Sequence, residues 1–212
     1  MGQRMAVNLV TFVPFDLEAN LGRAYNHAMA LLPPDAWAVL FDHDAMPTTR
    51  EWYRQITEVI EHRPDVGLLT ATTNRIASPW QRAAESDLNN HDMAYHRKLG
   101  AARLERRTLL DVTDTKGLGG VLMVLSRRTW ERVGGFVDGM LCVDHMMHFA
   151  VARAGLRVYV VDSLYVYHWR RAHGDELPAS VPKAKRCPCR GPEPTPTRRI
   201  PIVPEGATNE TR

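Results

Sequence analysis

Cysteine is scarce in this chain, with three residues in 212. Cys142 stands alone, and Cys187 and Cys189 form a C-P-C pair. That leaves no disulfide framework, and no second Cys/His pair of finger-like spacing to complete a zinc site. Such usage fits a reducing, cytoplasmic setting. Long apolar runs are also missing. Residues 5–15 (MAVNLVTFVPF) fall short of the ~20 apolar residues that span a bilayer, and they have no small-residue cleavage site. The run reads as a first buried strand, and no transmembrane segment is expected. Nor is there a strong charge of either sign. The formal net charge is +3, but from Trp169 onward nine Arg/Lys face five Asp/Glu, so the preceding part is close to neutral. Nothing in that distribution implies a nucleic-acid partner. No internal repeat is visible.

What remains is a chain of ordinary globular composition, 44% hydrophobic and 24% charged, long enough for one α/β domain. Strands are expected at 7–13, 36–41, 66–72, 119–125, 158–161 and 164–167. Helices are expected at 21–32, 52–61, 127–133 and 144–154, where apolar residues recur at three-and-four spacing between capping residues. Thr48 or Thr49 is placed to cap the second of them. Residues 74–113 lack clean periodicity and read as an excursion with some helix at 82–107. Eight of the fourteen prolines lie between Pro178 and Pro204. This divides the chain into a folded domain at 1–175 and a Pro/Arg-rich tail at 176–212 that is expected to be disordered. Alternating strands and helices predict a mostly parallel central sheet with helices on both faces, binding ligands at the carboxyl ends of its strands.

The sharpest feature is Asp42-His43-Asp44, which follows the apolar run AWAVLF directly. Two carboxylates leaving a strand together can hold a hard cation such as Mg²⁺ or Mn²⁺ against a diphosphate, although Asp is also common in plain turns. His168 closes the last strand and is either a third ligand or an imidazole packed among Tyr165, Tyr167 and Trp169. Asp144 opens a helix, as its cap or as a proton acceptor, and His148 lies one turn later on the same face, able to orient Asp144 or replace it. Asn20, Gly22, Arg23 and Asn26 begin the first helix, where phosphate is readily bound, though Asn and Gly also cap helices routinely. Gly119-Gly120 and Gly134-Gly135 would let backbone approach a ligand closely, or simply make turns. Trp80, Trp169 and the polar run 72–75, with Asn74 and Arg75, are placed to flank a cleft, and aromatic faces suit sugar rings.

In this order the pieces resemble family-2 glycosyltransferases of the GT-A, Rossmann-like fold. The matches are Asn20-Gly22-Asn26, Asp42-His43-Asp44, Gly119-Gly120-Val121, Val133-Gly134-Gly135-Phe136, Val143-Asp144 with Ala154-Gly155, and Tyr167-His168. TNRIASPWQ and NHDMAYHRKLG are similar to phrases in small phage and bacterial members. The resemblance implies a Mn²⁺- or Mg²⁺-dependent inverting transfer from a nucleotide-sugar, UDP-sugar by default, to a glycan, lipid-linked or protein acceptor. It also implies that Asp42 lies near the ribose or metal, that Asp44 and His168 complete the metal site, and that Asp144 is the general base. Two departures stand out. The strand and helix that usually precede the N-x-G helix, with an Asp for the nucleobase, are missing, so that half is shortened, and either Asp16 or Glu18 substitutes or the base is held loosely. Val143 stands where the family usually has Glu. Two rival readings are a sugar nucleotidyltransferase and a degenerate, non-catalytic nucleotide- or sugar-binding module. The acidic Asp16 and Glu18 after the first strand disfavour the nucleotidyltransferase, which generally has a Gly-rich basic loop there.

Overall fold

Apolar residues in neighbouring strands alternate between two faces, and this alternation builds the core. In the computed structural model, which describes residues 7–169 and 198–204, the elements run β1 (Leu9–Phe12), α1 (Leu21–Ala30), β2 (Trp37–Phe41), β3 (Ala45–Pro47), α2 (Trp52–His62), β4 (Val66–Thr73), α3 (Met93–Arg103), β5 (Thr108–Asp111), β6 (Leu122–Ser126), α4 (Arg127–Val133), α5 (Val143–Arg153), β7 (Arg157–His168) and β8 (Arg198–Pro201). Ala38, Leu40, Met123, Leu125, Val158 and Val160 point to one face, where Tyr25 and Met29 of α1 and Met147 and Val151 of α5 cover them. Val39, Phe41, Leu122, Val124, Tyr159 and Val161 point to the other, beneath Ile56 and Val59 of α2. The period of two is what puts both sets out of water.

The fold is α/β, as expected, but the sheet is mixed rather than mostly parallel. Its order is β1-β2-β6-β4-β7-β5-β8, with β3 also on β7. Only the β1–β2 and β4–β7 pairings are parallel among the described residues. β5 runs against β7, and residues 112–121 then carry the chain back across the sheet without a helix. From there β6 runs against both β2 and β4. Its first residues therefore share an edge with the carboxyl ends of β2, β4 and β7.

The two short strands expected at 158–161 and 164–167 are one strand with a bulge. Ala71 pairs with Val161 and the next residue, Thr72, with Tyr165, so residues 162–164 are extra on β7. The bulge bends the strand and lets it change neighbours: β5 pairs with its first half and β3 with its second. The aperiodic stretch resolves into α3 and β5. Thr48 does not cap α2, whose N-cap is Glu51; its hydroxyl instead donates to the Tyr165 carbonyl at 2.7 Å.

The stretch expected to be a disordered tail supplies β8, which pairs antiparallel with β5. Ile200 and Ile202 alternate toward the α2-side core, Ile202 being only 2% exposed, and the Arg63 guanidinium donates to the Ile202 carbonyl at 3.1 Å. Two apolar residues among prolines are too few to show a period, and Pro201 is tolerated because β8 is an edge strand. The rest of that stretch, residues 176–197 and 205–212, lies outside the described residues. Ile202→Ala should cost about 2–4 kcal/mol in urea denaturation, whereas a free tail would give a change within about 0.5 kcal/mol.

Candidate metal centre and its cleft

Asp42 and Asp44 sit in the turn that carries β2 into β3. The Asp42 amide donates to the Val121 carbonyl at 3.1 Å, and the Ala45 amide closes the turn onto the Asp42 carbonyl at 3.1 Å. β3 then pairs Ala45 with His168, which brings the end of β7 alongside. The His168 Nε2 lies 3.2 Å from an Asp44 oxygen and 3.6 Å from an Asp42 oxygen. One ligand atom from each residue falls within 4.8 Å of the others, a group able to hold a metal ion. Donors bound at ~2.1 Å at right angles around one hard cation would be about 3.0 Å apart, so the spacing fits.

The imidazole is oriented by its other nitrogen. His168 Nδ1 is 2.7 Å from the Arg75 carbonyl. A carbonyl can only accept, so Nδ1 carries the proton and a neutral ring presents the Nε2 lone pair to the carboxylates. Without a metal the ring favours a second proton: burial opposes the charge, but Nε2–H donating to the Asp42 and Asp44 carboxylates outweighs it and raises His168 to about 9. Asn74 clamps the same residue through its backbone, its Oδ1 accepting from the His168 amide at 2.8 Å and its Nδ2 donating to the His168 carbonyl at 3.2 Å. Asn74 is therefore the mount of a site residue, fully buried, and is not exposed to an acceptor as the sequence suggested.

Asp144 faces the same cleft from the first turn of α5. Its Oδ2 accepts from the Gly120 amide at 2.7 Å and its Oδ1 from the His145 amide at 2.8 Å. Burial raises its pKa above the ordinary carboxyl value, with the nearby His145 and these amides pulling the other way. The residue before α5, Cys142, has φ +63° at the N-cap, a left-handed conformation that a non-glycine residue adopts only under constraint from its surroundings. The cleft encloses about 230 Å³ and is also lined by Leu21, Tyr25, Ile76, Gly119 and His145. The Tyr25 phenol is pushed well above its usual range by burial and by the charges of Asp42 and Asp144.

Both cleft glycines sit at close approaches. A side-chain carbon on Gly119 would lie 2.5 Å from Ile76, and one on Gly120 would lie 3.2 Å from the Asp144 Cβ. Gln81, which sequence reasoning passed over, fixes this backbone. Its amide donates to the Gly119 carbonyl at 2.9 Å and to Thr70 Oγ1 at 2.8 Å, and accepts from the Gly119 amide at 2.6 Å. A glutamine in an aperiodic stretch carries no sequence signal of such a role.

The remaining candidates lie elsewhere. Asn20, Gly22 and Asn26 fasten α1 to the 134–139 turn. Asn20 Oδ1 caps the helix and accepts from the Gly139 amide at 2.9 Å. Asn26 takes the Phe136 amide and the Trp130 indole N–H and donates to the Phe136 carbonyl. A side chain at Gly22 would meet the Val137 carbonyl at 1.8 Å. Arg23 is paired with Asp16 at 2.7 Å and with Glu18 at 2.7 Å, and its hydrogen bond holds Asp16 down at about 2. Both Asp16 and Arg23 line a different hollow, between β1 and α1. Trp80 packs against the α1-side core and away from the cleft. Trp169 donates its amide to the Asp44 carbonyl at 3.0 Å, while its ring lies 4.6 Å from that of His91. The Arg75 guanidinium reaches the Trp169 carbonyl at 3.3 Å and the Leu88 carbonyl.

His148 neither orients Asp144 nor faces the cleft. It is fully buried, with Nε2 3.1 Å from the Thr113 carbonyl, and burial, the largest influence, lowers its pKa to about 4. A comparison with protein-family models matches none, and a comparison with curated proteins finds no significant match.

Because His148 is depressed to about 4, the unfolded chain takes up its proton, near pH 6.5, before the folded one does. The stability it contributes is present above that pH and is lost as pH falls toward the folded value. Between about pH 7 and pH 5 this should amount to about 2 kcal/mol in urea denaturation, and His148→Met should flatten that part of the pH dependence.

Proposed function

We propose that this chain is a metal-dependent, inverting glycosyltransferase that passes a sugar from a nucleotide-diphosphate donor, a UDP-sugar by default, to an acceptor hydroxyl on a glycan, lipid or protein. The observation that carries the proposal is the convergence of Asp42, Asp44 and His168 on one point, with Asp144 on the same cleft. The donor set of two carboxylates and a tautomer-fixed imidazole suits Mn²⁺ or Mg²⁺, Mn²⁺ being the more tolerant of the nitrogen. Bound there, the cation would neutralise charge developing on the departing diphosphate.

The chain's own part is positional and protolytic. Asp144 accepts the proton of the acceptor hydroxyl as that oxygen bonds to the anomeric carbon, and the carbon–phosphate oxygen bond breaks with its electron pair leaving on the nucleoside diphosphate. Burial lifts the Asp144 pKa toward the range in which a carboxylate is a useful base, and the Gly120 amide holds its orientation. A volume of about 230 Å³ is below the ~300–1,000 Å³ of sites that enclose a whole ligand, so the nucleoside would extend beyond the cleft. One observation favours a second reading, a non-catalytic nucleotide- or sugar-binding module: Arg23, Asn20 and Asn26, expected to serve the donor, are all engaged within the fold.

Calorimetry of Mn²⁺ and UDP against wild type and Asp44→Ala tests the site. The proposal expects UDP binding that requires Mn²⁺ and weakens at least about tenfold in the variant; binding indifferent to metal and to Asp44 would overturn the metal mechanism. Since Mn²⁺ must displace the proton that His168 holds up to about 9, its affinity should rise with pH below that value, by at most about tenfold per unit. With a donor that turns over, Asp144→Asn should retain UDP binding and lose about 10²–10⁴ in kcat. No turnover with any donor despite intact UDP binding would favour the binding module.

A further inference from the structure

The segment that lends Ile76 and Ala77 to the cleft lends Trp80 and Arg82 to a second, smaller hollow of about 90 Å³ beside the β7 bulge. Its charged lining is Arg82, Arg103, Arg106 and Arg199 against Glu85 and Asp162. We propose that this hollow binds a phosphoryl dianion, as free phosphate or as the phosphate of a small phosphomonoester.

Charge balance argues for a ligand. Among the described residues the lining carries four guanidinium groups against two carboxylates, an excess of two positive charges that an anion would offset. Hydrogen bonding gives the same answer. Arg103, only 2% exposed, forms the floor: its Nε donates to the Asp162 carbonyl at 3.1 Å, one terminal nitrogen to the Asp162 carboxylate at 2.6 Å and the other to Glu85. Arg106 bonds Glu85 at 2.7 Å and lies 3.9 Å from Asp162. Arg199 bonds Asp162, and among the described residues Arg82 bonds only the Ile76 carbonyl, at 3.0 Å. Each guanidinium carries five N–H donors, so most donors of the exposed Arg82, Arg106 and Arg199 have no protein acceptor among the described residues and face solvent, open to a ligand.

Size and valence then select the ligand. A hollow of about 90 Å³ has the room of about three waters at ~30 Å³ each, which suits one tetrahedral oxyanion group. A monoanion such as a simple carboxylate would leave one charge uncompensated. A phosphomonoester, whose second pKa is ~6, supplies both charges near neutral pH together with three acceptor oxygens for the forked donors.

Calorimetry of the full chain in chelator-treated buffer, with inorganic phosphate and separately with glycerol phosphate, tests the assignment. One equivalent should bind wild type, about tenfold more weakly in Arg82→Gln, an exposed side chain with one backbone bond to lose. Glu85→Gln removes a competing negative charge and should bind more tightly, a gain that structural damage would not produce. Asp44→Ala should bind as wild type, which separates this hollow from the metal centre. Tighter binding of glycerol phosphate would mark an organic phosphate as the ligand; equal binding would mark phosphate itself. No binding at about 10 mM, or binding unchanged by both Arg82→Gln and Arg199→Gln, would overturn the proposal, as would binding abolished by Asp44→Ala.

Discussion

The hydrogen bond from His168 Nδ1 to the Arg75 carbonyl organises the candidate site. Once that nitrogen is committed to a carbonyl, the ring can present only its other nitrogen to Asp42 and Asp44. The bond exists because β4 and β7 are parallel neighbours that end together, so the residues just past β4 turn across the end of β7. Asn74 secures the arrangement by bonding both backbone groups of His168. A side chain held at its ring and on both sides of its Cα loses little further entropy on meeting a ligand, which is how a strand end can carry preorganised chemistry.

The opposite wall is built on different principles. Gly119 and Gly120 allow the start of β6 to pass close to Ile76 and Asp144, and Gln81 removes the freedom that two consecutive glycines would otherwise have. This wall meets the metal residues because β6 enters the sheet in reverse, which places its first residues beside the ends of β2 and β4. A largely parallel sheet would have sent them to the far edge. The antiparallel strand that departs from the expected topology is therefore what assembles the cleft.

The α/β class, most element cores and the residues at strand ends were legible in the sequence, because apolar periodicity and breaker residues are local signals. Asp42, Asp44, His168 and Asp144 were legible for the same reason: each adjoins a strong strand or helix pattern. The helix cap at Asn20 was open to local reading, but its tie to Gly139 and the roles of Gly22, Asn26 and Asn74 were not. Asparagine and glycine bond or approach whatever backbone the fold brings near, and here that was the 134–139 turn and His168. β8 was hidden because two isoleucines among prolines give no period.

Taken alone, the sequence determined which segments would bury apolar faces, where chains would turn, and which titratable groups would stand at strand and helix ends, since all three follow from interactions within a dozen residues. Only the tertiary structure decided which of those groups meet. The direction of β6, the bulge that lets β7 pair with both β5 and β3, and the tautomer of His168 depend on contacts between residues far apart in the chain. The same holds for the arginines gathered around Asp162. Contacts of that range leave no periodic trace in a single sequence.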